Sequence, residues 1–218
     1  QPDTNNNEIS LNITKAKSGI EIIDHVINGL YETGYIHNHL RMYIASICCN
    51  ISKSNWRNPA KWMYYYLLDG DLASNSLSWQ WVCGANSNKK YIANQYNINK
   101  YTKVIQKNTF LDTSYDVISK MSQPAEFSEI SKEIRKTNFP ISDQLILNDN
   151  KDICVYNYYN LDPVWRNDID AHRILLIEPS IFKKYPISNN SMNFMLALSK
   201  NIKDIKIFVG EFQDIPKK

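Results

Sequence analysis

From Ile20 to Ile47 the apolar residues recur at intervals of three and four: Ile20, Ile23, Ile27 and Leu30, then Ile36, Leu40, Ile44 and Ile47. That is the period of one buried face of an α-helix, so the first part of the chain must be helices sharing a core. Thr33 and Gly34 punctuate the two runs. Asn58 followed by Pro59 predicts a helix start, an N-cap amide before a residue whose missing N–H costs nothing at the first helical position, with the helix running over 60–68. Gly70, between two aspartates, breaks it, and a short helix over 76–83 is expected next. Residues 91–101, dense in Asn, Lys and Tyr, read as ordered loop, and Phe127, Ile130 and Ile134 predict a helix over 126–136. Beyond Pro140 the character changes: 153–159 and 173–177 are rich in β-formers, 188–201 reads as a helix, and 205–209 is a further strand ending at Gly210. The expected organisation is a mainly α region over 1–139 followed by a small α/β unit over 140–218.

Composition bounds the function. With 43% hydrophobic residues, 6 Gly and 8 Pro, the 218-residue chain can bury a real core and is neither collagen-like nor disordered. The polar residues 1–7 are expected to fray. No apolar run approaches the roughly 18 residues of a membrane span, and the start lacks the basic-then-apolar order of a signal peptide, so a soluble, cytoplasmic protein with no membrane partner is expected. Cys48, Cys49, Cys83 and Cys154 show no C-x-x-C spacing and read as buried free thiols, with no metal site implied. The sequons at Asn12, Asn50 and Asn189 carry no meaning without secretion. A net charge of +3 with no Lys/Arg tract allows a nucleic-acid partner only through a local positive surface.

Three clusters carry the candidate chemistry: residues 37–42, 56–62 and 69–81. On a helix Asn38, Arg41, Met42 and Ala45 share a face, a polar-and-small strip that must look onto something within the fold. Asp69 and Asp71, where a helix ends at a Gly turn, are the obvious carboxylate partners for Arg41, as a structural salt bridge or as part of a ligand site. Trp56, Trp62, Trp79 and Trp81 read as core taken singly. Asn75 and Trp79, four apart, stack an amide on an indole, which suits a planar ligand or simple packing equally.

Order and spacing add to this. Thr33-Gly34-Tyr35-Ile36-His37-Asn38-His39-Leu40-Arg41-Met42 resembles the T-G-W-x-H-N-R-x-R-M signature of the photolyase and cryptochrome family, and Asp69 to Trp81 is similar to its D-G-D-x-A-x-N-x-x-x-W-Q-W stretch. The resemblance covers 33–101 and implies a photolyase-type helical FAD-binding region. It implies that Arg41 pairs with Asp69 beside the isoalloxazine, that Asp71 contacts the same ring system with Gly70 also in the cofactor-binding set, and that Asn75 faces flavin N5, where Asn favours the reduced forms used in repair. Trp79 and Trp56 fall at the flavin-proximal and middle positions of an electron-transfer chain. Asn38, His39, Met42 and Trp81 fall at positions lining the pocket for a flipped pyrimidine dimer in damaged DNA. Residues 156–163, 177–180 and 208–212 are similar to the tail of a bacterial photolyase-like branch.

The departures set the alternatives. His39 stands where the family usually has a DNA-contacting Arg, and His is only partly charged near neutral pH. The diphosphate clamp and antenna segments expected before residue 33 are not found there, which implies a fragment, a reduced form, or supply of those parts by another chain. The first reading is thus an FAD-dependent, photolyase-like lyase that repairs pyrimidine dimers by light-driven electron transfer. The alternatives are a cryptochrome-like blue-light sensor without repair, or a non-catalytic interaction module. His25, His172, Glu178 and Glu211 read as structural or surface groups.

Overall fold

The computed structural model describes residues 4–216. After one turn, α1 (Leu11–Thr14), the first periodic run forms α2 (Glu21–Thr33) and the second forms α3 (Asn38–Ser46), which continues into a π-helical stretch, Ile47–Ile51. Gly34 ends α2 in the left-handed conformation at φ 71°, its N–H donating to Leu30 O at 2.9 Å. The site has no room for a side chain: a Cβ at Gly34 would lie 2.5 Å from Leu68 Cγ.

The next helix, α4 (Arg57–Tyr66), begins one residue before Asn58 rather than after it. Asn55 Oδ1 accepts the Arg57 N–H at 3.2 Å, and the Asn58 amide turns instead to Glu8, at 2.9 Å. Pro59 therefore sits inside the first turn, where its missing N–H has no intrahelical acceptor. Helix α5 (Leu72–Val82) starts four residues earlier than periodicity suggests because Asp71 caps it, accepting the Ser74 N–H at 2.6 Å.

Two expectations fail. Residues 91–101 are not all loop: Gln95–Thr102 forms α6, capped by Asn94 on Asn97 N and held by Thr109 on Gln95. Residues 126–136 are not a helix; a single 3₁₀ turn, Ala125–Phe127, precedes extended chain. That chain finds its backbone partners in the N-terminal segment, Leu11 N to Glu129 O and Ser131 N to Ile9 O, both 2.8 Å, and Ile134 is left 80% exposed. Residues 4–7 are ordered by a separate pairing, with Asn5 N donating to Lys53 O and Asn55 N to Asn6 O, both at 2.9 Å; the expected fraying of 1–3 lies outside the described residues. A short α7 (Tyr115–Ser119) completes the helices of this part, and Ile23, Ile27, Leu30, Trp62 and Trp79 are among the residues of one core.

The chain forms two compact units, one ending at Ile134 and the other starting at Arg135. The second unit is α/β: β1 (Asp152–Tyr156), β2 (Ala171–Ile177), α8 (Pro179–Lys184), α9 (Asn189–Ser199) and β3 (Lys206–Val209). The strands form a wholly parallel sheet in the order β1-β2-β3, with Tyr156 opposite Leu175 and Leu175 opposite Ile207. β2 is buried along nearly its whole length, as its unbroken Ile-Leu-Leu-Ile run requires.

Gly34→Ala combines a positive φ with a steric clash and should lower unfolding free energy by about 1–3 kcal/mol. Urea denaturation measures this, and an unchanged midpoint would contradict the packing described.

Candidate functional site

Helices α3 and α5 face a common cleft. His37 caps α3, its ring accepting the His39 N–H at 3.3 Å, and this starts the helix so that Asn38, Arg41, Met42 and Ala45 all line the same wall. The opposite wall comes from α5 and the turn before it: Asp69, Asp71, Ser74, Asn75, Ser78, Trp79 and Val82. Apolar groups form the floor, where Trp79 is 1% exposed, and the polar groups stand around the mouth.

Arg41 joins the two walls. Its Nε donates to Ile36 O at 2.7 Å and its Nη2 to both oxygens of Asp69, at 2.9 and 2.8 Å. Asp69 is 55% exposed, so the pair adds little stability; its effect is to fix the position of the turn against α3. Asp71 does not share the guanidinium, because its carboxylate is the cap of α5. Asn75 is held differently: its side chain lies 2.9 Å from Ala60 O, and a carbonyl accepts only from an N–H, so the near atom is Nδ2. Oδ1 is left as an acceptor on the cleft wall.

Thus Asn38, Arg41, Met42, Asp69, Asp71, Asn75 and Trp79 meet around one cleft, while Gly70, His39, Trp56 and Trp81 are not part of its lining. Gly70 shapes the turn from behind, where a Cβ would meet Leu67 O at 3.2 Å. Trp56 is the residue before α4, under the Arg57 guanidinium at 5.1 Å. His39 and Trp81 belong to a second arrangement that the sequence did not reveal, a ribbon of touching rings: Trp81 to Tyr91 at 5.6 Å, Tyr91 to Tyr43 at 6.4 Å, Tyr43 to His39 at 4.7 Å, and His39 to Tyr101 at 5.1 Å. Trp81 and Tyr101, at the two ends, are 47% and 56% exposed, and Lys100 lies over Tyr101 at 5.4 Å. In the middle, Tyr43 is buried, and desolvation with its neighbour Tyr91 pushes its hydroxyl well above the usual phenol range.

Asn50, in the π-helical stretch, anchors this ribbon to the cleft. Its Nδ2 donates to Tyr91 O at 2.7 Å and to Val82 O at 3.1 Å, while Tyr91 N donates to Val82 O at 2.9 Å. Its burial also disposes of the sequon at that position. Cys48, Cys49, Cys83 and Cys154 are all buried free thiols, as expected.

A planar group fits this cleft in part. The lining combines apolar side chains, the Asn75 amide, whose oxygen has no partner among the described residues, and a carboxylate–guanidinium pair, a polar set suited to the edge of a heteroaromatic ring. The enclosed space is about 70 Å³, enough for a ring edge rather than a dinucleotide. Arg41 is the cation of the lining and is committed to Asp69, which leaves none for a diphosphate among the described lining residues.

The family described as the FAD binding domain of DNA photolyase matches residues 3–122. The chain belongs to that family, within the photolyases and cryptochromes. It is similar to the deoxyribodipyrimidine photo-lyase of Agrobacterium fabrum, 38% identical over 72 residues, which is 33% of this chain and 15% of the relative. It is also similar to those of Escherichia coli, 38% over 68 residues (31% and 14%), and Neurospora crassa, 35% over 85 residues (36% and 14%). The matched stretch thus spans about a seventh of these relatives, as the shares of 14–15% state. No helix of the described residues is long and apolar enough to cross a membrane.

Asp69→Asn removes the pair at the cleft mouth. It should cost less than about 1 kcal/mol of stability, as exposed pairs do. A thermal melt tests this, and a loss of several kcal/mol would show that the pair is structural first.

Proposed function

We propose that the cleft between α3 and α5 holds the ring system of FAD and that the protein serves light-driven, photolyase-like repair of pyrimidine dimers in DNA. The observation that carries this is the meeting of Arg41, Asp69, Asn75 and Trp79 around one cleft, within the segment that matches the FAD-binding family. Bound there, FAD supplies light absorption and electron donation, the chemistry the side chains lack. Arg41 and Asp69 hold the polar edge of the ring in register. Met42, Trp79 and Val82 keep water from its face. With FAD bound, Asn75, its amide held by the hydrogen bond to Ala60 O, would offer Oδ1 as an acceptor to a ring N–H and so would favour the protonated, reduced cofactor. Trp79, the indole of the cleft lining, would serve electron transfer to the bound ring, with Trp56 as a further member. Asn38, Met42 and the exposed Trp81 would receive the flipped dimer, and the exposed Tyr101 offers a further ring at the far end of the ribbon.

His39 favours a second reading, a flavin photosensor without repair. It packs between Tyr43 and Tyr101 as part of the ribbon, and an imidazole lacks the forked set of donors with which a guanidinium holds phosphate. Loss of dimers from damaged DNA under blue light, over many turnovers, separates the two.

Reconstitution with FAD is the first test. The protein should acquire flavin absorbance, and Asp69→Ala should weaken FAD binding by about tenfold or more, the worth of a charge-assisted hydrogen bond. Failure of the wild type to take up FAD would refute the reading. Asn75→Asp places a negative charge against the ring and should lower the reduction potential of the bound flavin, read by spectroelectrochemistry; an unchanged potential would remove Asn75 from the site. Trp81→Ala should weaken binding to a dimer-containing oligonucleotide by about 1–3 kcal/mol, the usual worth of a base on an aromatic ring. Fluorescence anisotropy measures it, with flavin content as the control.

A further inference from the structure

Parallel α/β sheets ordinarily meet ligands at the carboxyl ends of their strands, where loops and helix N-termini present free N–H groups. In the second unit that end is filled by the protein's own carboxylates. Glu211, just past β3, takes the Ser180 N–H at 2.9 Å and the Ser180 hydroxyl at 2.7 Å, and Glu178, just past β2, takes the Phe212 N–H at 3.4 Å. An anion arriving there would find the donors in use and two negative charges in place.

The opposite end of the sheet is different. Residues 142–148 cross it as a strap pinned at both ends. At one end Asp143 N donates to Ile207 O and its Oδ2 accepts the Ile207 N–H, both at 2.8 Å; at the other Asn148 N donates to His172 Nε2 at 2.8 Å. Beside the strap and the first residues of β2 and β3 lies a cavity of about 590 Å³. That is within the roughly 300–1,000 Å³ range of small-molecule sites.

Its charged lining is Lys151, Arg173, Lys203 and Lys206 against Asp170 and Asp204. Lys151 is committed to Asp170 at 2.8 Å. Arg173, 8% exposed, spends its guanidinium on the carbonyls of Arg166, Ile169 and Ala171. The ammonium groups of Lys203 and Lys206 make no hydrogen bond or close ion pair among the described residues, although Lys151, helped by Lys203, holds the Asp170 carboxyl below its usual range. Leu145 and Leu147 of the strap and Ile174 of β2 supply an apolar wall in the same cavity.

We propose that this cavity binds a small phosphate-bearing ligand, a mononucleotide, with its phosphate on Lys203 and Lys206 and its organic part against Leu145, Leu147 and Ile174. A phosphate offers several strong acceptor oxygens to two ammonium groups at once, and the apolar wall gives the attached body a place that inorganic phosphate would leave empty. The assignment is independent of the flavin cleft, since it uses only residues of the second unit.

Equilibrium titration of the full chain with AMP, adenosine and inorganic phosphate, read by calorimetry at low and moderate salt, tests it. The expected result is saturable AMP binding that weakens with salt, with adenosine and inorganic phosphate each at least about tenfold weaker. Because AMP could also enter the flavin cleft, two sets of variants locate the site. Lys203→Glu with Lys206→Glu, and separately Lys203→Gln with Lys206→Gln, should reduce AMP affinity by about tenfold or more with an unchanged thermal melt, whereas Asp69→Ala should leave it intact. Absence of saturable AMP binding would overturn the proposal. So would binding insensitive to both lysine pairs, binding lost in Asp69→Ala, or inorganic phosphate binding as tightly as AMP. Failure of FAD uptake by the wild type would leave these readouts untouched, so the two sites stand or fall separately.

Discussion

The Arg41 guanidinium fixes the spacing on which the unit-1 cleft depends, reaching Ile36 O at the start of α3 and both Asp69 oxygens at the turn into α5. Its three hydrogen bonds hold two helix N-termini at a set separation. Energetically the pair is minor, because Asp69 is more than half exposed and water competes for it. The stability of the arrangement comes instead from the core behind it, where Trp62 and Trp79 are fully buried, and from the Gly34 turn, which leaves no space between α2 and Leu68. A cheap polar clasp on an expensive apolar foundation suits a ligand site, since the clasp can be tuned for the ligand without unfolding the chain.

The chemistry follows from how each polar group is spent. Asp71 accepts the Ser74 N–H on one carboxylate oxygen as a helix cap, and the Asn75 amide donates to Ala60 O while Oδ1 has no partner among the described residues. Both residues line the cleft and keep an acceptor for a ligand. The ring ribbon from Trp81 to Tyr101 is built in the same economical way, since Asn50 and Val82 O hold Tyr91 in place from within the core while the two end rings stay exposed.

Much of the cleft was legible in the sequence because its two walls are helical faces, and residues three, four and seven apart on a helix must share a face. Asn38, Arg41, Met42 and Ala45 follow from that alone, and Asn75 with Trp79 likewise. The ribbon was not legible, for its contacts join Tyr43 to Tyr91 and His39 to Tyr101, pairs brought together only by tertiary packing. Helix α6 was missed because Gln95 and Ile98 are its only buried residues, too few to make a periodic signal, and its stability comes from the Asn94 cap and Thr109. The reverse error at 126–136 has the opposite cause: Phe127, Ile130 and Ile134 have helical spacing, but backbone pairing with residues 9–11 won, and only Phe127 of the three is buried. In the second unit the strands at 152–156, 171–177 and 206–209 were legible as β-rich runs, whereas the strap over 142–148 has no repeating pattern to read.

The central claim is that the ring of FAD lies between α3 and α5. A crystal structure of the chain grown with saturating FAD tests it most directly. The account predicts electron density for the isoalloxazine in contact with Met42 and Trp79, with a ring nitrogen within hydrogen-bonding distance of Asn75 Oδ1. A ring bound elsewhere on the protein, or a cleft holding only solvent, would contradict it.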